Sequence, residues 1–415
     1  MSWEVFALKR TIGVLLVVSG LAGLAFEIYE FTFSLYLKHL GLSGTQMGSI
    51  FAVAAVATVL LRVYLGHLSD RVGRKGIYSG SLALCGATCV VTPLMVVPLA
   101  LKVLRSLRDG ADCVRQAMHA LFLYDASPKR FKSLLCWTRG FEVALQGCGA
   151  LLAGYLVARV SFVAPMAVAG TAVVVGALVL ALGLPREGRN HRTRERLGLK
   201  SLLGLDLPPV LKLITARQFV FQIGLTASHC FIMQQWFMLK FGAPAATVGI
   251  IMALHRFAFG LPMIVAGLLP LRRLRLAAAV AITIQGLSIA GATLFGNLWV
   301  AVFVWILHDM IGAAIWNPIN GEWVQRFSQE DRRGRHASQS ETISALGAAL
   351  GPLLAGWCVQ QGWIDGPFVM SGVLTVASVI PIAWLPRSAD GPAVAASQDG
   401  VPSAENGGLC GEPAA

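Results

Sequence analysis

The sequence predicts an all-α membrane protein of twelve transmembrane helices arranged as two six-helix pseudo-repeats, and three observations predict it. The 415 residues are 56% hydrophobic and 13% charged, with a mean hydropathy of +0.67. A soluble domain carries about 25% charged residues and would leave large apolar patches in water at this composition. Apolar runs near the roughly twenty residues that a bilayer core requires alternate with short basic clusters. The second half of the chain repeats the first at an offset of roughly 200 residues, a mark of internal duplication.

The formal charge of +13 raises the possibility of a nucleic-acid partner. The cations, however, sit in clusters between apolar runs and not on one basic face with interleaved aromatics, so no nucleic acid is expected. Attraction to anionic lipid headgroups accounts for them more simply. The eight cysteines form no CxxC pair, and no His/Cys cluster has zinc spacing in the sequence. Most lie in apolar segments, as small buried hydrophobes do. No metal or cofactor is expected.

Taken in order, Lys9 and Arg10 precede a first span over roughly 11–37, and no signal-peptide cleavage site follows it. Two acids, Glu27 and Glu30, interrupt that span. Span 2 runs to about Leu68 and span 3 from about Ile77 to Val97. The stretch from about Leu99 to Tyr124 carries Lys102, Arg105, Arg108, Asp109, Asp112, Arg115 and His119, and a hydropathy window alone would reject it. Positions 105, 108, 112, 115 and 119 nevertheless step by three and four, the spacing of one helix face. A helix with one polar face spans a membrane when that face meets partners or lines a wet cavity, so this is span 4. Spans 5 (about 136–157) and 6 (about 163–184) complete an N-terminal half over 1–184.

Residues 185–207 begin PREGRNHRTRERLGLK and read as a polar, basic cytoplasmic linker. The C-terminal half covers 208–387. GALLAG at 149–154 returns as GPLLAG at 351–356, and Arg108-Asp109 returns as His308-Asp309. Beyond Arg387 the small, polar, Pro/Gly-rich tail over 388–415 reads as disordered. Positive clusters fall after spans 2, 4, 6, 8 and 10, which places both termini in the cytoplasm.

Between spans 2 and 3 lies GHLSDRVGRKG, residues 66–76. Gly66 lets a neighbouring helix approach, and Asp70 offers a carboxylate to the positive end of another. Arg71, Arg74 and Lys75 mark that side as cytoplasmic. The run resembles the signature loop of the major facilitator superfamily, G-x-L-x-D-R-x-G-R-[RK], with Gly66, Leu68, Asp70, Arg71, Gly73, Arg74 and Lys75 filling every position. The second-half copy, GLLPLRRLR from Gly267, keeps the glycine and the arginines and lacks the acid. The resemblance covers roughly residues 8–387. It implies a secondary transporter working by alternating access, with a central cavity lined by spans 1, 4, 7 and 10. It also implies that Asp70 caps the N-terminal end of span 11 near Ser338 to Glu341 and holds the cytoplasmic side shut. Glu142 and Glu341 either join that latch or begin their helices as first-turn acids. The family's span 4 motif R-x-x-x-G is matched imperfectly by Arg105 to Gly110. Its antiporter signature departs in span 5, where Ala150 stands in place of the expected proline and the Gly-Pro step falls at Gly351-Pro352.

Spacing alone picks out the same four polar faces. Ionisable groups inside spans are expensive and therefore functional candidates. Glu27 and Glu30, one turn apart, form either a proton-coupling pair or structural partners of span 4 arginines. Arg105, Arg108 and Arg115 either clamp an anionic group or neutralise Asp109, Asp112 and the glutamates. Span 7 offers Gln222 and His229, the latter a proton relay, a substrate ligand or a packing residue. Span 10 offers His308, Asp309, Asn317 and Asn320. No nucleophile or metal constellation marks an enzyme. The expectation is a monomeric transporter of a small solute in a bacterial-type cytoplasmic membrane, coupled to protons. Efflux by antiport is slightly favoured over symport or uniport of a polar or anionic metabolite. A non-transporting scaffold or sensor is less favoured, because it would tolerate loss of the cavity charges.

Overall fold

The computed structural model describes residues 3–127, 130–184, 207–266, 273–329 and 332–390, with side chains undescribed at 3–8, 62–72, 131–133, 136, 266 and 333–335. Among the described residues there are helices and short turns only. Spans 1 to 6 are Trp3–His39, Gly44–Val72, Arg74–Val91, Pro98–Ala126, Phe131–Arg159 and Val163–Gly183. Span 7 is broken into Pro209–Ser228 and Ile232–Phe241, and spans 8 and 9 are Ala245–Ala266 and Leu274–Gly291. Span 10 joins Leu298–Leu307, a π-helical turn His308–Ala313, and Ala314–Arg326; spans 11 and 12 are Arg333–Gln360 and Gly366–Ala377. Ten of these are long and apolar enough to cross a membrane on composition alone. The remaining two are span 4, whose charged face dilutes its hydropathy, and span 7, which is interrupted at His229.

Packing displays the duplication directly. Span 1 packs on 5 and 6 as span 7 packs on 11 and 12; span 3 packs on 6 as 9 packs on 12; span 2 packs on 4 as 8 packs on 10. Between halves, span 5 lies along span 8 and span 11 along span 2. The repeated hexapeptide explains both kinds of contact. A Cβ on Gly149 would come within 2.5 Å of the Leu24 carbonyl oxygen, and one on Gly351 within 2.6 Å of that of Ile223, so the first glycine seats each span on its own half. Gly154 faces Gly249 and Ala245 across the halves, and Gly356 faces Gly44, whose carbonyl oxygen a Cβ would meet at 2.5 Å. Small residues permit such backbone approach in lipid, where apolar burial alone gives helices little reason to associate.

One hydrophobic core runs through both halves at the end where span 1 turns into span 2, joining Phe31, Phe33 and Ile50 to Phe231, Trp236 and Val248. There Ser34 donates to the Phe231 carbonyl at 2.5 Å, and Gln235 donates to the Ser34 carbonyl at 2.7 Å. A second core, containing Phe221, Ile282, Trp316 and Trp323, stays within the C-terminal half.

The linker over 185–206, the loop at 267–272 and the tail beyond Asp390 lie outside the described residues. The chain is helical through Arg387–Asp390, three residues into the segment the sequence assigns to the tail. Asp390 receives the backbone N–H of Arg275 at 2.9 Å and its Nε at 2.6 Å, and so caps span 9 from a distance.

Candidate functional site

Among the described residues span 4 carries more buried charge than any other span. Its small residues pack against the bundle, with Gly110 against Leu61, and its charged face is turned inward. Arg105, Arg108, Asp112 and Arg115 are each at most 8% exposed. The 3.6-residue period therefore does what the sequence requires: a polar stripe survives in lipid because protein, not hydrocarbon, meets it.

Two networks divide that stripe. In the first, Glu30 accepts from Arg105 at 2.9 Å and from Arg108 at 2.7 Å. Asp109 accepts from the same two guanidinium groups, at 2.7 Å and 3.1 Å. Two acids and two arginines leave no net charge. The guanidinium planes lie over aromatic rings, Arg105 at 4.5 Å from the Phe51 centroid and Arg108 at 4.4 Å from Tyr29. In the second network Arg115 bridges Asp112 and Glu142, each at 2.7 Å. Arg139 adds to Glu142 at 3.2 Å, Gln116 donates to Asp112, and Ser19 donates to Glu142. Glu142 thus sits deep in span 5 and begins no helix. Arg108, Asp112 and Arg115 line a small internal space with Cys85 and Cys89 of span 3.

Glu27, with zero exposure, is separated from Glu30 by its partner. It accepts from Arg256 of span 8 at 2.7 Å, an ion pair between the halves. Its Oε1 has no hydrogen-bond partner. The two glutamates expected to act together are held by different arginines.

In the C-terminal half, His229 and His308 face each other through their Nε2 atoms at 2.9 Å. Asp309 contacts His308 at 3.3 Å and touches His255 of span 8. The adjacent residues His308 and Asp309, both buried, open the π-helical turn over 308–313. Nearer the termini Arg217 is 1% exposed and donates to Gln218 at 2.9 Å and to Asn320. Its Nε and Nη1 have no partner, and Trp316 lies 5.3 Å beneath it. Gln222 and Asn317 are half-buried.

Of the signature loop, Gly73 has φ +90°, a conformation that favours glycine. Arg74 pairs with Asp125 at the end of span 4, and Lys75 donates to the Leu184 carbonyl at the end of span 6. Both tie span 3 within its own half. Gly66, Asp70 and Arg71 fall in the last turns of span 2, and their side chains, with the proposed cap on span 11, lie outside the described residues. Glu341 is exposed, eight residues into span 11.

Four charged partners escaped the sequence reading: Arg139, Arg217, His255 and Arg256. A signal for three was present, since Arg217, His255 and Arg256 interrupt apolar stretches as Glu27 does. Arg139 follows a basic loop and is masked by it.

Comparison with known proteins accords with this geometry. The model of the family described as Major Facilitator Superfamily matches residues 15–284 and again 218–408. The 4-hydroxybenzoate transporter PcaK of Pseudomonas putida is 25% identical over 158 residues, 38% of this chain, and the match spans only 35% of that relative's length. A crystal structure of the nucleoside transporter NupG superposes with a TM-score of 0.74 at 14% identity, covering 90% of this chain and 99% of the other. A bacterial homologue of the human lysosomal transporter Spinster, inward-facing and unoccupied, gives 0.69 at 12% identity over 91% and 95%. At these identities the structures show the shared fold.

Proposed function

Because the chain belongs to the major facilitator superfamily, a family of multi-pass membrane proteins, we propose that it is a secondary transporter that moves a small solute by alternating access, with protons as the coupling ion. The observation that carries this reading is the neutral network of Glu30, Asp109, Arg105 and Arg108 between spans 1 and 4. Protonating Glu30 removes one negative charge and leaves Arg105 and Arg108 sharing Asp109, so the site gains a positive charge that a bound anion can balance. The ordering of the two halves gives the gate: spans 1 and 7 are bonded at one end, where the shared core lies. With both termini cytoplasmic, as the loop charges argue, that closed end is the outer one and the cavity faces inward. Efflux by antiport remains the favoured direction on the acids of span 1.

Import of an anionic metabolite by symport or uniport is the second reading, favoured by Arg217, a fully buried cation with no carboxylate beside it among the described residues. The PcaK match is consistent with an aromatic carboxylate as the anion.

The experiment is flux of a compound panel in proteoliposomes with imposed pH gradients. Solute movement driven by the gradient, lost about tenfold or more in Glu30→Gln, supports coupling at this site. Gradient-driven flux that Glu30→Gln leaves intact places the coupling elsewhere.

A further inference from the structure

The histidines of the C-terminal half are more ordered than a relay needs. His229, His255 and His308 come from spans 7, 8 and 10, far apart in sequence, and each offers a ring nitrogen within 4.8 Å of the other two. Trp305 floors the group, its ring centroid 4.6 Å from His255 and 5.0 Å from His308.

The outer bonds of the rings fix which nitrogens point inward. Nδ1 of His308 faces the Trp305 carbonyl, which only accepts, so that nitrogen carries the hydrogen and Nε2 is bare. Nδ1 of His229 lies 3.1 Å from the Leu225 carbonyl and 2.8 Å from the Ser228 hydroxyl; donation to the carbonyl bares its Nε2 as well. Nδ1 of His255 touches Asp309, and its Nε2, in a side chain 2% exposed, has no hydrogen-bond partner. In that tautomer two bare Nε2 atoms face each other at 2.9 Å with the Asp309 carboxylate 3.3 Å from one of them, lone pairs that a cation would bridge. With the Ser228 hydroxyl donating to Nδ1 instead, Nε2–H of His229 donates to His308. Asp309 also stands apart from the other buried acids. Glu27, Glu30, Asp109, Asp112 and Glu142 are each paired with arginine, whereas among the described residues the ion-pair partners of Asp309 are imidazoles alone.

We propose that His229, His255 and His308 bind one divalent transition-metal ion of the zinc class, with Asp309 compensating its charge. Imidazole is a favoured ligand for such ions. Ligand rings that hand their second nitrogen to a backbone carbonyl or carboxylate are the usual outer shell of a metal site. Metal–nitrogen bonds of about 2.0–2.1 Å need ring shifts on the order of 1 Å from the present positions. The site lies in the C-terminal half, apart from the Glu30 network, and stands whether or not that network couples protons.

The test uses full-length protein in detergent, with Co2+ as the optical probe and Zn2+ as competitor. The expected result is one equivalent of Co2+ giving the visible absorption of a four-coordinate site, displaced by one equivalent of Zn2+. His255→Ala and His308→Ala should weaken Zn2+ binding by about a hundredfold or more. His308→Cys should keep the metal and add a sulfur-to-cobalt charge-transfer band in the near ultraviolet, a result that only direct ligation produces and misfolding does not. No visible Co2+ band in the unaltered protein overturns the proposal. So does Zn2+ binding that persists at full strength in folded alanine variants, or a His308→Cys spectrum identical to the parent's.

Discussion

Arg115 shows how a charge is tolerated at the centre of this bundle. Its side chain is 1% exposed and satisfies two carboxylates, Asp112 and Glu142, on two different spans. Removing one partner of such a set is far worse than never having had it, because the others stay buried and charged. Arg115→Met should therefore cost about 3–5 kcal/mol, read as a sharp fall in melting temperature in detergent. The triple change Arg115→Met, Asp112→Asn, Glu142→Gln should recover most of that loss, since no unpaired charge remains. A triple variant as unstable as the single one would show that Arg115 matters for packing and not for charge. The sequence already placed Arg115 on the inward face by its spacing, yet it gave no sign that Glu142 was the partner. Pairing across spans depends on which helices touch, and a single chain's periodicity carries no record of that.

At the scale of the element, the two hexapeptides were legible as a repeat and not as a contact. Their glycines became meaningful only once each was seen against another backbone. Gly356→Val would drive a branched side chain toward the Gly44 carbonyl, which lies 2.5 Å from the added Cβ and cannot yield as a flexible side chain would. We expect about 1–3 kcal/mol of destabilisation and a splaying of spans 2 and 11, measured by thermal unfolding. Gly321→Ala, where nothing lies within 4 Å, is the control and should be silent. The helix-breaking features were less visible. The π-helical turn at 308–313 and the interruption after Ser228 carry no proline of their own, so neither is announced by composition. The cap on span 9 adds a pH-dependent element outside the membrane. The Arg275 side chain and backbone N–H hold the Asp390 carboxyl below its ordinary range, against a small cost of burial. Its folded-state value being the lower one, the cap is fully present above the ordinary carboxylate range and is lost as pH falls through the depressed value. The protection factor at the start of span 9, exchange divided by its intrinsic rate at each pH, should be constant from neutral pH downward and fall only in acid, and Asp390→Asn should show the lowered protection throughout.

For the whole molecule, the decisive contact is Glu27 with Arg256. The alternating access proposed above would stretch this ion pair, because it joins span 1 to span 8. Glu27 has no exposure and its second oxygen has no partner, so separation would strand a bare carboxylate in a dry site. On the proposed proton-coupled reading, protonation of Glu27 would remove that penalty and tie a proton to the movement. Opening of the seam between spans 2 and 11 should then become easier as pH falls. Spin labels at Gln46→Cys and Gln361→Cys, exposed positions on the two sides of that seam, report it as a distance distribution. The distribution should broaden as pH falls in the parent, and Glu27→Gln should show the broadened form throughout. Arg256→Gln removes the same tie between the halves and should also give the broad form without a fall in pH. A pH response that survives Glu27→Gln unchanged would mean that the halves move without regard to this pair, and would leave Glu30 of span 1, with its span 4 arginines, as the candidate proton site.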